Sequence, residues 1–321
     1  MINLTTTFSI PRTIFPIRAH NQILCIGSCF SENMGSRLQN LPLEVSNQAL
    51  GTLFHPLNIL RSLQAQDLKE EELYKQGNHF VHPDFHSQFM GADANEFLAQ
   101  LKELKKNTLK FLADSQFLVI TWGTSFYFED KVLGRAIANC HKQPQGRFIK
   151  KMSMVDEICE CYEEFLRKKP FIKVILSVSP VRHTRDCIPE NSASKATLRI
   201  AAEQLACKFP EQITYFPAYE IMMDELRDYR FYQADMIHPT EQAVNYIYER
   251  FKNSHFDDTL LEVAKRWQEM HNTIQHRPHP LNYPQHVDVL RRLRKEIELD
   301  QSGINSSKLL AKIDQQILAL S

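Results

Sequence analysis

The stretch "ILCIGSCFSENMG", residues 23–35, decides the fold. Ile23 to Ile26 form an apolar run without polar alternation, as in a parallel strand covered on both faces. Gly27-Ser28 punctuates the run. Beyond it, Phe30, Met34 and Leu38 recur every four residues and place one apolar face on a helix. A buried strand turning at once into an amphipathic helix is the first unit of an alternating α/β chain. Two nucleophilic side chains, Ser28 and Cys29, stand at the junction, so the turn is also a candidate site.

The same alternation continues outward. "FLVITW" (117–122) and "FIKVILSVS" (171–179) read as further buried strands, "ITYFPAYE" (213–220) as a shorter one, and residues 43–46 as another. Helical patterns lie between them. They run through Phe97, Leu101, Leu104 and Phe111, through Val155, Ile158, Tyr162 and Phe165, and through Leu198, Ala202, Leu205 and Phe209. After His238-Pro239, a closing helix carries Val244, Ile247, Tyr248 and Phe251, with Pro239 suited to its first turn. The expected architecture is a three-layer α/β/α sandwich with a mainly parallel, flavodoxin-like sheet. Sites in such sheets gather at the carboxyl ends of the strands, where Ser28, Gly123 and Ser179 fall.

The expected division is an α/β domain over residues 1–255 and a helical extension over 256–321, with the Pro- and His-rich segment 274–286 as a linker. Leu290, Leu293 and Ile297, then Leu310, Ile313, Ile317 and Leu320, form two amphipathic stretches around Gly303. They fit a helical hairpin packed on the body, or a face for a partner such as a second copy of the chain.

With 38 basic and 38 acidic residues the formal charge is zero, so no bulk field favours nucleic acid or an anionic membrane. The N-terminal segment carries Pro11, Arg12, Pro16 and Arg18 and does not read as a signal peptide. No apolar run approaches the roughly 18 residues of a membrane span. The seven cysteines are scattered and odd in number, as reduced thiols in a cytoplasmic protein are. Glycine loops for nucleotides are absent and no cofactor is implied. His79, His82 and His86 are spaced like helical metal ligands, but Pro83 interrupts them, so no metal site is expected.

A serine hydroxyl needs a base to take its proton, and the base needs a group to orient it. "YQADMIHPT" offers both: in a loop, the three-residue offset from Asp235 brings a carboxylate to Nδ1 of His238. Each half alone is ordinary: Gly-Ser is common turn chemistry and an Asp before a helix is a common cap. A nucleophile ending the first strand, with an Asp/His pair just before the last helix of the α/β unit, is far more specific.

"GSCFSENMGSRL", "NQALGTLFHPLNI", "ANCHKQP", "SVSPVRH" and "RFYQADMIHPTEQAV" resemble, in order, the GSCFA family, a branch of the SGNH (GDSL-like) hydrolase superfamily. The likeness covers roughly residues 20–290; Ser31 stands where the family name has Ala. It implies Ser28 as nucleophile, His238 as base and Asp235 as its orienter. It also implies an oxyanion hole from the N–H groups of Ser28 and Gly51 and an Asn side chain. Ser125 occupies the position of that Asn, and Asn139 is the alternative source of a carboxamide. Cys29 is then expected to be a buried neighbour of Ser28. His86 could sit on a loop over the cleft or be a solvated loop residue. His141 could belong to a group of polar side chains that binds substrate or to a hydrogen-bonded turn with Cys140 buried, and Arg182 and His183 could lie at the cleft mouth. Arg182 and His183 could equally pair with acids such as Asp186. The expected activity is ester hydrolysis of a small or carbohydrate-like ester, with deacetylation as the form the superfamily likeness implies. An acyltransferase with the same triad and a non-catalytic binding protein on a degenerate scaffold are the rivals.

Overall fold

The computed structural model describes residues 5–184, 187–299 and 306–320. Gly303 and Asp186 lie outside them. In chain order the elements begin with β1 (Gln22–Gly27), α1 (Cys29–Gln39), β2 (Glu44–Asn47) and α2 (Pro56–Ser62). A hairpin β3 (Tyr74–Gln76) and β4 (His79–Val81) leads to α3 (Ala94–Asp114) and β5 (Phe117–Trp122). Then come β6 (Phe126–Asp130), β7 (Arg135–Ile137), β8 (Phe148–Met152), α4 (Val155–Lys168) and β9 (Lys173–Val178). The α/β unit closes with α5 (Ile188–Lys208), β10 (Ile213–Phe216), the single turn α6 (Ala218–Glu220) and α7 (Glu241–His255). Three helices follow: α8 (Asp258–Gln275), α9 (Tyr283–Glu298) and α10 (Ser307–Leu320).

Five strands form one parallel sheet in the order β2-β1-β5-β9-β10. Counted along the chain this is 2-1-3-4-5, the flavodoxin-like order, and its switch point lies between β1 and β5. All six residues of β5 are buried, as a central strand covered on both faces requires. One face of the sheet is covered by α1 and α7, through Phe30, Met34, Leu38, Val244, Ile247 and Phe251. The other carries α2, α4 and α5, with Ile59, Tyr162, Phe165, Leu198 and Leu205 buried against the strands. The expected three layers and parallel sheet are what the chain forms, and strands 117–122 and 22–27 lie where the apolar runs put them.

Three details depart from the sequence reading. The run 213–220 is a strand only to Phe216; Pro217, which has no N–H for the ladder, ends it before α6. The proposed linker 274–286 is mostly helix: α8 runs to Gln275, and Pro284 sits in the first turn of α9, where its missing N–H costs nothing. The antiparallel sheet β7-β6-β8 and the hairpin β3-β4 consist of strands of three to five residues, too short for periodicity to register. Leu260, Trp267, Leu290, Ile297, Leu309 and Ile313 of α8 to α10 are buried in the cluster that contains α1 and α7, so their apolar faces turn toward the body. Among the described residues no helix is long and apolar enough to cross a membrane.

Candidate active site

At the switch point, β1 ends on Gly27 at φ +140°, and a Cβ there would meet the Thr121 carbonyl oxygen at 2.2 Å. Only glycine permits β1 to approach β5 so closely. Ser28 follows in extended conformation as the N-cap of α1, but its hydroxyl makes no capping bond. Its N–H donates to Thr121 O at 3.0 Å. The side chain is buried, at 1 % exposure, and Oγ has no hydrogen-bond partner among the described residues. Gln48 covers the turn from the next loop, its Nε2 donating at 3.1 Å to the carbonyls of both Gly27 and Ser28. The same loop reaches β5, since the Phe54 carbonyl accepts from the N–H groups of Gly123 and Thr124.

The loop before α7 delivers the Asp/His pair as its spacing predicts. Asp235 Oδ2 lies 2.7 Å from His238 Nδ1, while Oδ1 accepts from the N–H groups of Ile237 and His238 at 2.9 and 3.0 Å. Met236 between them takes φ +58°, a strained conformation for a non-glycine residue. Those backbone bonds, with the imidazole contact, hold the Asp235 carboxyl down to about 2, so it is ionised and acceptor-only near neutrality. With Nδ1 committed to the carboxylate, His238 keeps Nε2 for another partner.

His238 lines a small cavity of ≈ 50 Å³ together with Cys29, Asn33, Gln233 and Glu241. Cys29 therefore departs from expectation: it is only partly buried and shares a wall with His238, whereas Ser28 is buried. The first turn of α1 rotates residue 29 toward the loop, while residue 28 still follows the strand. Burial pushes the Cys29 thiol up, opposed by the amides of Phe30 and of Cys29 itself.

The other expected groups are placed as follows. Gly51 donates its N–H to Gln48 O at 2.8 Å, and its Cα lies against His86, whose Cβ is 2.3 Å from where a Gly51 Cβ would stand. Ser125 is fully buried, bonded through N and Oγ to Ser194 Oγ of α5 at 2.8 and 3.1 Å. Asn139 Oδ1 accepts from the N–H of His141, and the buried His141 ring places Nε2 2.8 Å from His82 O. Burial lowers the His141 pKa, so this ring is neutral and part of the loop's support. The sequence-derived oxyanion set is thus not a ring of free donors: the N–H groups of Ser28 and Gly51 and the Ser125 hydroxyl already bond within the protein. Arg182 stacks 4.1 Å from the Tyr232 ring and 5.4 Å from that of Tyr229, beside a cavity of ≈ 200 Å³ that Met222, Met223 and Leu226 also line. His183 packs edge-on against Phe54, with ring centroids 5.8 Å apart.

Sequence reasoning missed Lys195. It sits on the buried face of α5 and is 1 % exposed, its Nζ donating to the carbonyls of Gly123 and Ser179 at 2.7 and 2.8 Å. A signal was available: Lys195 precedes Leu198 by three residues and so lies on the apolar stripe Leu198, Ala202, Leu205.

A doubly wound α/β domain with an Asp/His pair facing the first strand–helix turn is the class these features define. The chain belongs to the GSCFA family, whose model matches residues 22–251, from the start of β1 into α7. No curated protein matches it.

Proposed function

We propose that the protein is an ester hydrolase of the SGNH type, working by acyl transfer through Ser28, His238 and Asp235. The observation that carries this reading is the 2.7 Å Asp235–His238 pair, held on a strained turn at the carboxyl edge of the sheet opposite the start of α1. In the proposed mechanism His238 Nε2 takes the proton of Ser28 Oγ as that oxygen attacks the ester carbonyl. Asp235 keeps the proton on Nδ1 and stabilises the imidazolium. Collapse of the tetrahedral intermediate expels the alcohol, which receives the proton from His238. Water then attacks the acyl-serine by the same route in reverse. Superfamily likeness points to a small or carbohydrate-like ester, with deacetylation as the simplest case. An acyltransferase would differ only in the acceptor that replaces water.

A second reading has one observation in its favour: Cys29, not Ser28, shares the cavity with His238. In it the thiol attacks and Ser28 only forms the turn between β1 and α1. A fluorophosphonate probe tests both. Labelling that is abolished by Ser28→Ala and His238→Ala but kept in Cys29→Ala supports the serine mechanism. Loss with Cys29→Ala alone transfers the role by one residue. Absence of labelling in the folded protein overturns the serine mechanism.

A further inference from the structure

Lys195 is a fully buried lysine with no carboxylate partner among the described residues. Burying an amine in this way is costly unless its surroundings compensate. Here the compensation is two backbone carbonyls, and both belong to the carboxyl edge of the sheet. Gly123 directly follows β5 and Ser179 directly follows β9. In the register Gly27 pairs with Thr121 and Thr121 with Ser177, so Gly123 and Ser179 extend the same rows one step beyond Ser28, Trp122 and Val178. Ser179 N–H in turn donates to Trp122 O, so the amine closes a bonded bridge between the two strand ends.

An ammonium has three protons, and the carbonyls take two. Beyond those two carbonyls, Nζ lies 5.9 Å from the centre of the Tyr219 ring. Ser28 Oγ, at the end of the adjacent strand, is a buried polar atom without a hydrogen-bond partner among the described residues. Cys29, the first residue of α1, follows Ser28 on the same edge, and the Lys195 ammonium opposes the burial that pushes its thiol up. Meanwhile the backbone donors expected to receive an oxyanion are bonded to carbonyls. Lys195 is thus a positive group at the edge where β1 and β5 end, and no acid among the described residues pairs with it.

We propose that Lys195 is a positioning residue of the site: its ammonium ties the ends of β5 and β9 together and supplies the positive potential that an anion at the Ser28–Cys29 turn requires. For the acyl-transfer reading, on which this role in catalysis rests, that anion is the oxyanion of the tetrahedral intermediate. Burial pushes the amine down to about 7, so it is mostly charged at pH 6, where the test is made.

The test uses the Cys29 thiol as a local reporter and needs no substrate. The full chain is treated with dithiodipyridine at pH 6, and modification is followed cysteine by cysteine by peptide mass spectrometry. A cation close to a thiol favours its thiolate, so Lys195→Met and Lys195→Gln should slow Cys29 about three- to tenfold relative to Cys207. Protection of the buried Cys25 reports that each variant is folded. Unchanged Cys29 reactivity in a variant that still protects Cys25 overturns the proposal. Should both variants expose Cys25, the wild-type protein decides by NMR of labelled lysines. One slowly exchanging ammonium that shifts when Cys29 is converted to the mixed disulfide supports the assignment; no such response overturns it. Fluorophosphonate labelling separates the two readings. Its absence, with the thiol result intact, would remove hydrolysis and leave Lys195 as the cation of an anion-binding turn.

Discussion

Gly27→Ala is the substitution that most directly tests how the site is built. The added Cβ would stand 2.2 Å from Thr121 O, 2.8 Å from Thr121 N and 2.9 Å from Thr121 C. These are backbone atoms of the central strand, bonded on both sides, so no side chain can swing away to make room. Relief requires β1 and β5 to part, which stretches the Ser28 N–H to Thr121 O bond now at 3.0 Å. Overpacking, the strained positive φ and the weakened hydrogen bond together amount to about 3–6 kcal/mol. Gly134→Ala provides the control, because φ there is +62° and a Cβ would meet nothing within 4 Å. Only the backbone cost of about 1–2 kcal/mol applies at that position. Urea unfolding followed by circular dichroism should show a far lower midpoint for Gly27→Ala than for Gly134→Ala, with similar slopes. Equal destabilisation by the two changes, within about 1 kcal/mol, would refute the close-approach reasoning.

Tyr162→Phe should destabilise by about 1–3 kcal/mol despite preserving shape, because Tyr162 OH accepts from buried Trp122 Nε1 at 2.7 Å and reaches Pro56 O at 3.2 Å; the urea midpoint measures it, and no change would mean that the indole N–H finds another acceptor. Thiol labelling of the native protein should modify the exposed Cys161, Cys187 and Cys207 readily, while Cys25, whose thiol burial pushes up to about 12, reacts only on unfolding. Early modification of Cys25 in folded protein would contradict its place in the core.

Acid should spare the Asp235–His238 pair longer than an ordinary carboxylate would allow. The folded-state value of Asp235 lies below its unfolded one, so its contribution to stability is present above about pH 4 and fades as pH falls toward about 2. Carboxyl chemical shifts of Asp235 across that range provide the measurement. A midpoint near the usual 3.8 would mean that the two backbone N–H bonds and the imidazole do not hold the carboxylate in solution.

Much of this was legible in the chain itself. Ile23 to Ile26, Phe117 to Trp122 and the four-residue spacing of Phe30, Met34 and Leu38 specify strands and a helix through local periodicity alone. The Asp235–His238 bond was legible for the same reason, since three residues in one turn span it. What depends on partners distant in sequence was not. That Cys29 rather than Ser28 walls the cavity with His238 depends on how α1 docks on the loop before α7, more than two hundred residues away. That Ser28 has already committed its N–H group depends on Thr121, in a strand more than ninety residues away. Lys195 is the plainest case: on its helix it is a polar residue on an apolar stripe, and only the convergence of the Gly123 and Ser179 carbonyls at the sheet edge makes its burial tolerable. Periodicity is a property of neighbours along the chain, whereas the matching of a buried donor to its acceptors is decided when the strands pair.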